Sequence, residues 1–142
     1  EGNRPNIVKK FTRNGSSYMI IINEGETFFS RKEVEKLLDE EKEEFVKTMI
    51  NGLESDVYSS LEVLGYKIVN VDLYPSLQVQ YKGYISNTVM NVKTRFCTTS
   101  WTIIYEDKVV TLMGVDITKD FSNQNLFRLI TNSVMFPEQY ID

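Results

Sequence analysis

The chain of 142 residues contains no histidine and a single cysteine, Cys97, which removes most of the usual catalytic equipment. Without an imidazole there is no Ser-His-Asp triad, no Cys-His pair and no access to the commonest zinc ligand. One cysteine cannot form an intramolecular disulfide. In a strand-like stretch it reads as a small buried hydrophobe. Glu40, Glu41, Glu43 and Glu44 stand close together, but successive helical residues point in different directions. They therefore read as a solvated face rather than a metal or acid–base centre. Asp116 and Asp120 lack the pattern of a calcium loop. No metal site, no cofactor and no enzymatic activity are expected.

Two other groups suit binding. Lys82, Lys93 and Arg95 form a positive patch if their strands are neighbours, and such a patch suits an anionic ligand or an acidic protein partner. The plainer alternative is the wet face of an antiparallel sheet. Tyr81, Phe96 and Trp101 are candidates to line an apolar cavity, with ordinary core packing as the alternative.

The elements that must position these groups follow from periodicity. From Ser30 to Gly65, apolar residues such as Val34, Leu38, Phe45, Met49, Leu53, Val57, Leu61 and Leu64 recur at three- and four-residue intervals, which predicts one long helix. Ser30 and Glu33 suit a capping box, Phe28 or Phe29 a hydrophobic staple, and Gly65 a helix end. Asn51-Gly52 is its weak place, with Ser55 available as a fresh cap. Before it, Asn6 to Thr12 and Ser17 to Asn23 predict a hairpin around Asn14-Gly15. That turn also accounts for the Asn14-Gly15-Ser16 glycosylation pattern.

After Gly65 the period becomes two. Lys67 to Leu73 predicts a strand ended by Tyr74-Pro75. Leu77, Val79 and Tyr81 alternate with polar residues in the next strand. Between Thr88 and Tyr105 the apolar residues move from even to odd positions, which predicts a bulge, a bend or a hidden turn near Cys97-Thr98-Thr99. Glu106-Asp107-Lys108 leads into a strand from Val109 to Ile117. A second helix spans Leu126 to Met135 and is closed by Phe136-Pro137. The fold class is α+β, one domain over residues 1–142: hairpin, long helix, antiparallel strands, and a C-terminal helix packed on the sheet.

The longest apolar run, Met19 to Ile22, is too short to span a bilayer, and a net charge of −4 argues against nucleic-acid binding. The chain opens at Glu1 without methionine. It therefore reads as a processed or trimmed form whose targeting signal is out of view, with membrane attachment only through an upstream anchor.

The order of the last elements, with the Val-Val-Thr-Leu strand and Leu126-Phe127-Arg128-Leu129-Ile130-Thr131-Asn132-Ser133, resembles the carboxyl end of small exported PsbP/DcrB-like domains. The resemblance covers Leu77 to Phe136. It implies an α/β/α sandwich around an antiparallel sheet, export to the periplasm or cell surface, and a non-catalytic role in binding or assembly. The expected function is recognition of a protein partner or small anionic ligand through the sheet face. The alternative is a carrier of small apolar ligands, with a cavity between sheet and long helix.

Overall fold

A computed structural model describes residues 7–13, 15–24, 34, 36–37, 39–87, 89–105, 108–118 and 121–136. The expected turn residue Asn14, the Ser30/Glu33 cap and Phe28/Phe29 staple, Glu106-Asp107, Asp120 and Pro137 lie outside them.

Six antiparallel strands form one sheet in the order β1-β2-β6-β5-β4-β3. β1 (Ile7–Arg13) and β2 (Ser16–Glu24) are the expected hairpin, turned at Gly15 with φ +81°, a conformation only glycine adopts freely. The chain then crosses to the far edge through α1 (Asp39–Leu53). It returns as a meander of β3 (Tyr58–Val71), β4 (Tyr74–Asn87), β5 (Val92–Tyr105) and β6 (Lys108–Asp116). The C-terminal helix α2 (Gln124–Asn132) packs on the sheet. The α+β class and its element order stand.

Three local expectations are corrected. The helix does not run to Gly65: it stops at Leu53, and residues 58–71 are the edge strand β3. Ser55 does not cap a helix. Its Oγ accepts from the backbone N–H groups of Val57 and Tyr58 at 3.1 and 3.2 Å, a turn that launches the strand. Leu61 and Leu64 kept the helical spacing only because register shifts at Ser59/Glu62 and Val63/Gly65 interrupt the strand's alternation; Gly65 marks the second irregularity rather than a helix end. Pro75 does not end a strand but sits near the start of β4, after a turn at Asp72 and Leu73 with φ +48° and +71°.

The expected bulge near Cys97 is also absent, since β5 pairs with β4 in unbroken register from Val92↔Asn87 to Ile103↔Ser76. β5 is a central strand covered on both faces. Trp101 and Ile103 pack on one side and Phe96 on the other, so the even-to-odd change marks two different coverings.

One face is filled by α2. Phe127 and Phe136 join Tyr18, Val71, Tyr74, Trp101, Ile103 and Leu112 in a single cluster. Gly114 lies directly beneath the Phe127 ring, where a Cβ would come well inside 3.0 Å. The Tyr18 hydroxyl meets Thr131 Oγ1 at 2.8 Å, and burial pushes its pKa up. On the other face, Val46 and Ile50 of α1 pack with Leu77, Val79, Tyr81 and Phe96. Asp39, Glu40 and Glu41 occupy the first turn of α1, where negative charge suits the helix dipole.

Candidate functional site: a cavity under the crossing helix

α1 packs over the β3–β4 side, and no other helix among the described elements covers the β5, β6 and β2 surface on that face. The result is a cavity of about 620 Å³, within the ~300–1,000 Å³ typical of small-molecule sites. Phe45, Met49 and Leu53 of α1 form one wall. The floor carries Thr98, Ser100 and Thr102 from β5, Val109, Thr111, Met113 and Val115 from β6, and Met19 and Ile21 from β2. Strand pairing fixes these positions: Lys10↔Met19, Met19↔Met113, Met113↔Ser100 and Ser100↔Val79 form one row across the sheet. At its margins the cavity reaches the exposed Lys10 and Tyr58.

The lining is mostly apolar with a band of hydroxyls. Among the described lining residues Lys10 is the only charged group. Ser100 is 3% exposed and Thr98 0%, and neither Ser100 Oγ nor Thr98 Oγ1 makes a hydrogen bond of good geometry. The Tyr81 hydroxyl donates to Met113 Sδ at 3.7 Å. Burial pushes its pKa up to about 12, with Thr98 close enough to offset part of the rise. Tyr81 therefore stays a neutral donor throughout the physiological range.

Of the residues expected to line such a cavity, the structure brings Tyr81 and Phe96 together with ring centroids 6.1 Å apart, and both line it. Trp101 does not. Its odd position places it on the α2 face, where its indole N–H donates to Gln78 Oε1 at 3.0 Å. The hydroxyls of Thr98, Ser100 and Thr102 were missed as cavity residues. Their signal was a run of small polar residues at alternate positions in an otherwise buried central strand.

Lys82, Lys93 and Arg95 share the opposite face, opposite Cys97, Ser86 and Tyr84 respectively. Lys82 and Arg95 line a common surface recess of about 350 Å³ with Ser60, Glu62 and Tyr84; Lys93 lies one step beyond it. The cations are not bare. Lys82 Nζ is 3.7 Å from Glu62 Oε2, and the Arg95 guanidinium lies 5.3 Å from the Phe121 ring centroid.

On this face Asp116 proves to be a structural hub. Fully buried, its Oδ1 accepts from Ser16 Oγ at 3.1 Å, Thr118 N at 2.9 Å and Thr118 Oγ1 at 2.6 Å, while Oδ2 accepts from Asn123 N at 2.8 Å. Burial alone would raise its pKa, but the bonds from Thr118 and Asn123 together outweigh it and hold the carboxyl below its ordinary value. Nearby, burial first and the Asp116 charge second push the Cys97 thiol up, away from the reactive thiolate.

No family model and no curated protein matches the chain. Solved structures do. The Pseudomonas aeruginosa protein PA94, of unknown function and a candidate regulator, superposes with a TM-score of 0.62 at 8% identity, covering 94% of this chain and 85% of its own. Cyanobacterial PsbP from Synechocystis sp. PCC 6803 superposes with a TM-score of 0.58 at 15% identity, covering 96% of this chain and 78% of its own. The PsbP-like resemblance thus extends beyond residues 77–136 to almost the whole chain, as a likeness of fold.

Proposed function

We propose that the protein is a non-catalytic, exported binding module that carries a small, largely apolar molecule between its sheet and α1. The observation that carries this reading is the cavity itself: about 620 Å³ on the α1 face of a sheet whose other face carries α2. Its described lining offers surface and hydrogen bonds but no acid and no cysteine, which suits holding a molecule rather than transforming it. Export is part of the proposal through the PsbP-like resemblance. No helix among the described residues is long and apolar enough to cross a membrane.

The test is binding of Nile red, an uncharged dye that fluoresces in apolar surroundings. Wild type should bind it saturably. Met113→Trp, which directs an indole into the cavity from the floor, should weaken binding at least about tenfold, the effect of roughly 1.4 kcal/mol, while melting cooperatively. Undiminished binding in a folded Met113→Trp protein would sink the cavity as the site.

A second reading has an observation of its own: the recess that Lys82 and Arg95 share suits an acidic protein partner or a small anionic ligand. Glu62 would have to yield Lys82 to it. Partners recovered by wild type at low salt and lost by Lys93→Glu/Arg95→Glu would support this reading, because exposed charge pairs are screened over about 8 Å at physiological ionic strength. Equal recovery by both proteins would remove it.

A further inference from the structure

The cavity's polar floor narrows the class of molecule it takes. Ser100 Oγ and Thr98 Oγ1 are buried without a well-formed bond to the protein, and both residues line the cavity. A buried hydroxyl lacking a partner is costly, and replacing it with an apolar group of similar shape is often neutral or stabilising. Such groups at a concave apolar site are the ones that orient a ligand. Residues 98 and 100 stand on the same side of one strand, about 7 Å apart along it, so a single polar group of a ligand seated between them is within reach of both.

The charge of that group follows from the lining. Lys10 is the only ionised side chain among the described lining residues, and it lies three strands from Ser100 along the row. That is about 14 Å at ~4.8 Å per strand. A carboxylate at Ser100 would be a buried charge with no counter-charge among the described lining residues, and so would an ammonium group, since no acid is among them. A neutral oxygen carries no such penalty. Around it the walls are Ile21, Phe45, Val109 and Val115, and the flexible thioethers of Met19, Met49 and Met113 adapt to a chain or ring of variable shape.

We infer, on the reading that the cavity is the ligand site, that its ligand is an apolar molecule bearing an uncharged hydrogen-bonding oxygen, an alcohol or carbonyl group, held at Ser100 and Thr98. The row then has a division of labour: hydroxyls on the floor select the neutral head, and the apolar walls and methionines take the body.

Competition against Nile red with decanol, decane and decanoate tests this on wild type, Ser100→Ala and the near-isosteric Thr98→Val, with melting temperatures of the free proteins alongside. Decanol should lose about tenfold in affinity in each variant, whereas decane should lose nothing. The free variants should melt at or above the wild-type temperature, so a loss of decanol binding cannot be a loss of fold. Equal responses of decanol and decane would show that the hydroxyls serve only bound water and would overturn the inference while leaving the cavity reading intact. A decanoate loss as large as decanol's would overturn the neutral head. Failure of Nile red to bind wild type at all would remove the cavity reading, and this inference with it.

Discussion

Gly114→Ala is expected to destabilise the protein by about 3–5 kcal/mol and to unseat the C-terminal helix. Gly114 is on β6, and a methyl group there would come well inside 3.0 Å of Phe127. Phe127 is 2% exposed and sits in the cluster that joins α2 to β2, β3, β4, β5 and β6. Strand backbone in the interior of a six-stranded sheet does not yield, so the ring must. An evicted Phe gives up burial of the size lost in a core Phe→Ala change, ~3–5 kcal/mol. Urea melts of the single variants and of Gly114→Ala/Phe127→Ala check the mechanism. The double variant should cost well under the sum of its parts, because removing the ring removes the clash. Strict additivity would mean that the helix is seated by something else.

Asp116→Asn is expected to cost about 3 kcal/mol at pH 7. The carboxylate receives donors from β2, from the turn after β6 and from Asn123 at the start of α2. An amide has one acceptor oxygen and sets its NH₂ against donors on the other side. Because the folded pKa of Asp116 lies below its ordinary value of 3.8, its contribution is fully present above that value and is lost as pH falls through the lower, folded one. Wild type should therefore lose this part of its stability below about pH 4, and the difference between wild type and Asp116→Asn should shrink there. Denaturation between pH 7 and pH 2 checks both. A gap that stays constant would place the carboxylate's role outside ionisation.

Both residues were legible only in part. Gly114 reads as an ordinary glycine in a strand, and the ring that needs it is supplied from a helix thirteen positions on. Asp116 reads as a polar residue at a strand end, because its partners Ser16 and Asn123 come from opposite ends of the chain. What sequence carries well is local chemistry. The turn at Gly15 was legible because it demands positive φ, and α2 because its apolar residues have helical spacing, although it runs from Gln124 to Asn132 and stops short of Met135.

Local pattern failed where two periods coexist. Residues 53–64 keep helical spacing by coincidence of two register irregularities, although Val57, Tyr58 and Val63 are strand formers. β5 failed differently. A strand buried on both faces has no single alternation, and its cavity side is written in Thr and Ser rather than in apolar residues. Tyr81 and Phe96 line the cavity and Trp101 does not, because Trp101 has the opposite parity on β5 and faces α2. The patch residues share a face as their parity required, but Glu62 and Phe121, which attend Lys82 and Arg95, come from segments whose approach no local pattern encodes.

The glycine beneath Phe127 also gives the sheet a mechanical polarity. On the α2 side, aromatic ring and bare backbone are in contact with nothing between them, and close-packed interiors resist compression and transmit displacement. On the α1 side, the same sheet borders a cavity. The two sides of the sheet are therefore unequally packed: α2 is in direct contact with it, whereas α1 faces it across the cavity. A molecule filling the cavity would give the α1 side the close packing that the α2 side already has.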